Sequence, residues 1–206
     1  MAVSRSGGMV LFSGYADHQS HRIRIVMAEK DITSEIEYVD LNHPRQDFLE
    51  LSPYQTLPTL ADRDLVMYST PLIMEYLDER FPHPPLMPVD PVARARARLM
   101  LYRIEKEWEP LIETILNGTP KAKAQARKEL REGLIVLSPA FLQQPFFLAD
   151  DFGIVDCAMG PILWRLPSFE ISLPSSAKAL QNYADRLFLR PAFRMSLTEQ
   201  ERELRG

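Results

Sequence analysis

Apolar positions divide the chain into two stretches with different periods. Met9-Val10-Leu11-Phe12 is a short apolar run closed by Ser13-Gly14, the pattern of a buried strand. Over residues 20–30, Ile23, Val26, Met27 and Lys30 recur at helical spacing, and Ser20 is the expected N-cap. Glu35-Ile36-Glu37-Tyr38-Val39 alternates and is rich in strand formers. A short strand–helix–strand order implies a parallel pair. Leu57-Pro58-Thr59-Leu60-Ala61 and Leu65-Val66-Met67-Tyr68 flank Asp62-Arg63-Asp64 and predict a hairpin. Ser69 is a suitable N-cap, Pro71 suits a first helical turn, and Leu72, Ile73, Tyr76, Leu77 and Arg80 follow at helical spacing.

Residues 81–91 break the pattern. Pro82, Pro84, Pro85, Pro88 and Pro91 cannot share a helix, and each pushes its predecessor toward extended geometry. The segment reads as a stiff connector. Beyond it the period is helical throughout. Ala95, Leu99, Trp108, Leu111, Ile112 and Ile115 predict one long helix ending near Asn117-Gly118. Ala126, Leu130, Leu134 and Leu137 mark a second helix. Val155, Ala158, Met159, Ile162 and Leu163 mark a third, apolar on most sides and hence central, with Pro161 expected to bend it. Leu180, Tyr183, Ala184 and Leu187 mark a fourth, and residues 198–205 predict a charged surface helix. The expected organisation is an α/β domain over 1–86 followed by an all-α domain over 87–206.

Composition changes this picture little. The chain has 206 residues, 46% apolar and 25% charged, which suits a soluble globular protein. A net charge of -4 argues against wrapping nucleic acid, and no DNA-reading motif is present. The single cysteine, Cys157, excludes an intrachain disulfide and, on an apolar helix turn, reads as a small buried hydrophobe. No apolar run reaches the roughly 18 residues of a membrane helix. Residues 1–8 are too polar for a signal peptide and read as a frayed terminus. His18, His21, His43 and His83 lack paired metal-ligand spacing, so no metal site is expected.

Four features together resemble the glutathione-transferase superfamily, whose fold is a thioredoxin-like N-terminal domain followed by a helical C-terminal domain. These are Leu57-Pro58-Thr59-Leu60, where that superfamily has a cis proline facing its ligand; Tyr68-Ser69 before a helix, where it often has Glu-Ser; Arg22-Ile23-Arg24-Ile25; and Gly153-Ile154-Val155-Asp156, where it opens the central helix with a capping box. Three longer segments are similar to the stringent starvation protein A family: residues 20–26, residues 74–88 with Pro82-His83-Pro84-Pro85, and residues 162–167. That resemblance implies a cytoplasmic homodimer that associates with RNA polymerase holoenzyme, including its sigma factor, and redirects transcription under starvation and acid stress. It implies no catalysis, no cofactor, no membrane partner and no direct sequence-specific nucleic-acid binding.

The same resemblance locates a vestigial glutathione site. A thiol transferase needs a hydroxyl donor or thiol before its first helix. The corresponding position here is Asp17, a carboxylate that accepts rather than donates and would repel a thiolate. Tyr15 is the first substitute to test, with Ser13 and Ser20 behind it. Leu57, Pro58, Tyr68 and Ser69 complete the site, with Tyr68 standing where Glu is common; the plain alternative for Ser69 is a helix cap. An active transferase therefore stays open as a second reading. The partner surface is expected at Pro82, His83, Pro84 and Pro85, because an extended proline segment loses little entropy on binding. His83 adds a titratable donor and acceptor, and Leu86 and Met87 are expected to add apolar contact.

Overall fold

A computed structural model describes residues 8–205. The expectation for the N-terminal segment falls on residues that, Gly8 apart, lie outside the described residues. The first half contains β1 (Met9–Ser13), α1 (His18–Glu29), β2 (Glu35–Tyr38), α2 (Gln46–Leu51), β3 (Thr59–Asp62), β4 (Leu65–Met67) and α3 (Thr70–Arg80). Its sheet runs β2-β1-β3-β4, with β1 parallel to β2 and antiparallel to β3, and with β3 and β4 forming the hairpin. Strand alternation sends the side chains of β1 to two cores. Leu11 joins Leu60, Ile23 and Ile73 on the face covered by α1 and α3. Val10 and Phe12 join Phe48 of α2 on the other, with the Phe12 and Phe48 rings 5.5 Å apart.

Two caps differ from expectation. Helix α1 starts at His18, two residues before Ser20, because the Asp17 carboxylate accepts the Ser20 amide at 2.7 Å. Ser20 lies inside the helix and its hydroxyl instead accepts the Gly14 N–H at 3.0 Å. Ser69 does occupy the N-cap position of α3, but its side chain makes no capping bond.

The second half is helical: α4 (Pro91–Arg103), α5 (Glu109–Asn117), α6 (Pro120–Leu137), α7 (Ile154–Trp164), α8 (Lys178–Phe188), α9 (Pro191–Ser196) and α10 (Glu199–Glu203). The expected single long helix is interrupted by a π turn, Ile104–Trp108, across which the Glu109 N–H reaches back to the Ile104 carbonyl. Pro110 has no N–H to continue the ordinary ladder, and the wider turn accommodates it. Helix α7 is buried from Ile154 to Leu163 and packs against α1, α4 and α8. Only half of a capping box opens it. The Asp156 carboxylate accepts the Gly153 N–H at 2.8 Å, and glycine has no side chain to return the bond. Gly153 is required by a close approach, since a Cβ there would lie 3.0 Å from the Leu86 carbonyl oxygen. One continuous core runs through both halves and includes Leu86 and Met87.

The terminal charged segment is the largest departure. Thr198 and Glu201 form a reciprocal capping box around α10, yet Glu201 is fully buried rather than on the surface. Alternating charge in the sequence could not reveal that one of these carboxylates meets two arginines.

Candidate functional site

The first candidate is a cleft of about 850 Å³ where the two halves meet. The loop after β1 forms one wall with Gly14, Tyr15 and Asp17; Leu57 and Glu113 lie elsewhere on the lining, and Arg165 and Phe169 close the base. Among the residues expected here, the structure brings together Asp17, Tyr15 and Leu57. Pro58 follows a cis Leu57–Pro58 bond and is buried, whereas Tyr68 and Ser69 are outside the lining. Tyr68 packs edge-on against Tyr54, with centroids 4.9 Å apart.

Asp17 is committed to the backbone. Its Oδ1 caps α1, while its Oδ2 is buried without a hydrogen-bond partner. A Cβ on Gly14 would approach Oδ2 to 2.1 Å, so only glycine permits this placement. Ser13 and Ser20 are buried in internal bonds, whereas Tyr15, stacked on Tyr38 at 5.1 Å, is exposed and lines the cleft.

Behind the cleft, buried charges join α1 to the helical half. Arg22 donates to Glu105 at 2.7 Å and Glu109 at 2.6 Å. His18 pairs with the other Glu109 oxygen at 2.6 Å. Burial pushes the Glu109 carboxyl up, but the Arg22 charge and the His18 bond outweigh it and hold the group at about 2. A second network centres on Glu201. Arg24 donates to both of its oxygens at 2.6 Å, and Arg165 also pairs with it. Arg165 further donates to the His21 Nδ1 at 3.1 Å, so the His21 proton resides on Nε2, facing the Ser196 hydroxyl at 3.0 Å. Burial and the neighbouring Arg165 and Arg24 charges lower the His21 pKa far below its ordinary value and keep the ring neutral. Its 3.8 Å approach to Glu201 is therefore not an ion pair.

The second candidate is the connector. Pro82, His83, Pro84 and Pro85 are all exposed, and the His83–Pro84 bond is cis. Leu86 and Met87 are not available as surface contacts; both are buried, and their N–H groups donate to the Asp78 carboxylate at 2.8 and 2.9 Å. Lys30 is buried beneath the segment. Its ammonium donates to the Phe81 and Pro84 carbonyls at 2.6 Å each and pairs with Asp78 at 2.7 Å. Backbone polar groups are thus bound from within while the proline and histidine side chains face outward.

Asp78, Arg165 and Glu201 were not singled out by sequence, and Lys30 only as a position on the first helix's face. One signal was present: Arg22 and Arg24 interrupt an apolar helix, and such charges need buried partners. Among the described residues, no group of three or more His, Cys, Asp or Glu side chains is placed to hold a metal, and no helix is long and apolar enough to cross a membrane.

Comparisons with known proteins agree on the architecture. Residues 18–80 match the glutathione S-transferase N-terminal domain and residues 99–191 match the C-terminal domain. Rice GST1, solved in complex with glutathione, superposes with a TM-score of 0.84 at 25% identity, covering 98% of this chain and 96% of that one. Maleylacetoacetate isomerase of Pseudomonas aeruginosa is 26% identical over 91% of this chain and 95% of its own. A stringent starvation protein A homolog of Coxiella burnetii is 52% identical over 96% of this chain and 95% of its own. With near-complete coverage at that identity, on the fold described above, the chain belongs to the stringent starvation protein A family within the glutathione S-transferase superfamily.

Proposed function

We propose that this chain is a non-catalytic, cytoplasmic transcription adaptor that docks as a homodimer on RNA polymerase holoenzyme, including its sigma factor, under starvation and acid stress. The observation that carries the reading is the exposed Pro82-His83-Pro84-Pro85 segment, pinned from beneath by Lys30 and Asp78. A segment already held in one conformation loses little entropy when a partner binds it. Family membership supports the polymerase as partner. The homodimer is supported by an apolar face: Leu72 of α3 and Leu99 and Tyr102 of α4 are each more than half exposed, and the Glu75–Arg98 ion pair ties the two helices together. Asp17 and Tyr68 support the loss of transferase chemistry, since neither supplies the thiolate donor or the carboxylate partner that glutathione needs.

Immobilised full chain is expected to retain holoenzyme, and replacing Pro82, His83 and Pro84 together by Ala is expected to abolish retention at a temperature where circular dichroism shows the variant folded. Equal retention by that variant would remove the docking surface from the proposal.

The large cleft and the likeness to rice GST1 favour a second reading, an active glutathione-dependent enzyme. Calorimetry at millimolar glutathione separates the two. The adaptor reading expects no binding heat and no conjugation of a standard electrophile, and Tyr15→Phe tests any residual activity.

A further inference from the structure

A second groove, of about 330 Å³, lies immediately behind the exposed segment and shares Pro85 with it. One wall is the connector from Pro85 to Val89 and the other is the loop through Ala149 and Gly153. The floor is apolar, formed by Leu86, Ala97, Phe147, Ile154 and Val155. Both walls are pinned. The Ile154 N–H donates to the Leu86 carbonyl at 2.9 Å, and Asp78 holds the Leu86 and Met87 amides. Asp156 holds the Phe147 and Gly153 amides at 2.9 and 2.8 Å.

The charge of the groove has one sign. No Lys, Arg or His lines it; its charged residues are Asp150, Asp151 and Asp156. Asp156 is spent on its buried amides and on the Tyr183 hydroxyl at 2.6 Å. Asp150 and Asp151 are exposed and make no ion pair among the described residues. Of the nearby cations, Arg190, stacked on Phe152 at 4.0 Å, is paired with both oxygens of Glu29, while Arg94 lies on the far side of the connector and donates to the Pro88 carbonyl. A rigid apolar pocket with unpaired carboxylates at its mouth complements an apolar anchor flanked by positive charge.

We infer that this groove receives one large apolar side chain from a partner segment whose flanking residues are Lys or Arg. The inference rests on the docking reading above and supplies the chemistry of what docks. The volume accommodates a leucine or phenylalanine, and the basic flanks lie against Asp150 and Asp151. Attraction to the rim steers the segment, and burial of the anchor holds it.

The test is an amide-resolved NMR titration of the full chain with a blocked nine-residue peptide, a central Phe between four Lys on each side. Shifts are expected at residues 85–89 and 149–155. Binding should weaken about tenfold, equivalent to about 1.4 kcal/mol, when Phe is replaced by Ala, when Lys is replaced by Glu, or when the chain carries Asp150→Lys and Asp151→Lys. Both aspartates are exposed, so the double variant is expected to melt as wild type does. Absent shifts at these amides, equal binding of the Ala-centred peptide, or indifference to the double substitution would each overturn the inference. If holoenzyme is retained while the peptide gives no shift, the groove assignment fails and the docking reading stands. If the peptide behaves as expected while holoenzyme is not retained, the docking reading fails and the groove remains a site for basic segments.

Discussion

The cleft and the connector both lie where the two halves of the chain meet, and they dispose of their polar groups in opposite ways. Around the cleft, the charged side chains turn inward. Arg22, Arg24 and Arg165 are bound by Glu105, Glu109 and Glu201, and Asp17 caps a helix. At the connector, the backbone turns inward. Lys30 and Asp78 take its carbonyls and amides, and its side chains stay free. The cleft is backed by the paired charges that join the two halves, while the segment joining them is exposed and held from beneath.

The largest test of this contrast removes the centre of the joint. Glu201→Gln removes the carboxylate shared by the buried Arg24 and Arg165, and is expected to cost about 3–5 kcal/mol. Urea unfolding reads the loss directly; a shift equivalent to under about 1 kcal/mol would show that the network contributes no more than a surface pair does. Lys30→Met probes the connector. It strands Asp78 and frees the Phe81 and Pro84 carbonyls, with an expected cost of about 3 kcal/mol. Unlike Glu201→Gln, it is expected to weaken holoenzyme retention at temperatures where the fold persists, and equal retention would separate rigidity from docking.

Acidity gives a third, smaller contrast. Glu109 is held at about 2 in the folded chain against an ordinary 4.5. Its contribution is therefore complete above about pH 4.5 and is lost as pH falls toward 2, amounting to about 2 kcal/mol after allowance for partial exposure. Asp156 has the opposite sign. Burial raises its carboxyl from 3.8 to about 6 against the opposing bonds from Tyr183, Gly153 and Phe147, so stability falls as pH rises from about 4 through 6. Melting temperature followed from pH 3 to 7 should show both limbs, and Glu109→Gln should flatten only the acid one. The smallest effect is expected at Ser69. Without a capping bond to lose, Ser69→Ala should change stability by less than about 0.5 kcal/mol, against about 1 kcal/mol for a working cap.

Much of the fold was legible because local patterns carried it. The β1–α1–β2 unit, the β3–β4 hairpin, the buried α7 and the proline break each follow from periodicity and punctuation in short windows. The errors share a cause. Ser20 and Asp17 are both good caps, and the choice between them depended on Gly14 leaving room for the Asp17 carboxylate. Leu86 and Met87 follow exposed prolines, and only the approach of α7 shows that they are covered. Residues 198–205 read as a charged surface helix, because nothing local shows the arginines that bury Glu201.

The sequence by itself determined which segments are strand or helix and where the chain cannot be helical. Those properties arise from neighbours within a few positions. Tertiary structure alone decided which charges are buried and paired. Arg24 and Glu201 are 177 residues apart and Lys30 and Pro84 are 54 apart, and no local pattern encodes such meetings. Burial makes these pairings strong and their loss costly. They tie the two halves together behind the cleft and hold the connector in one conformation.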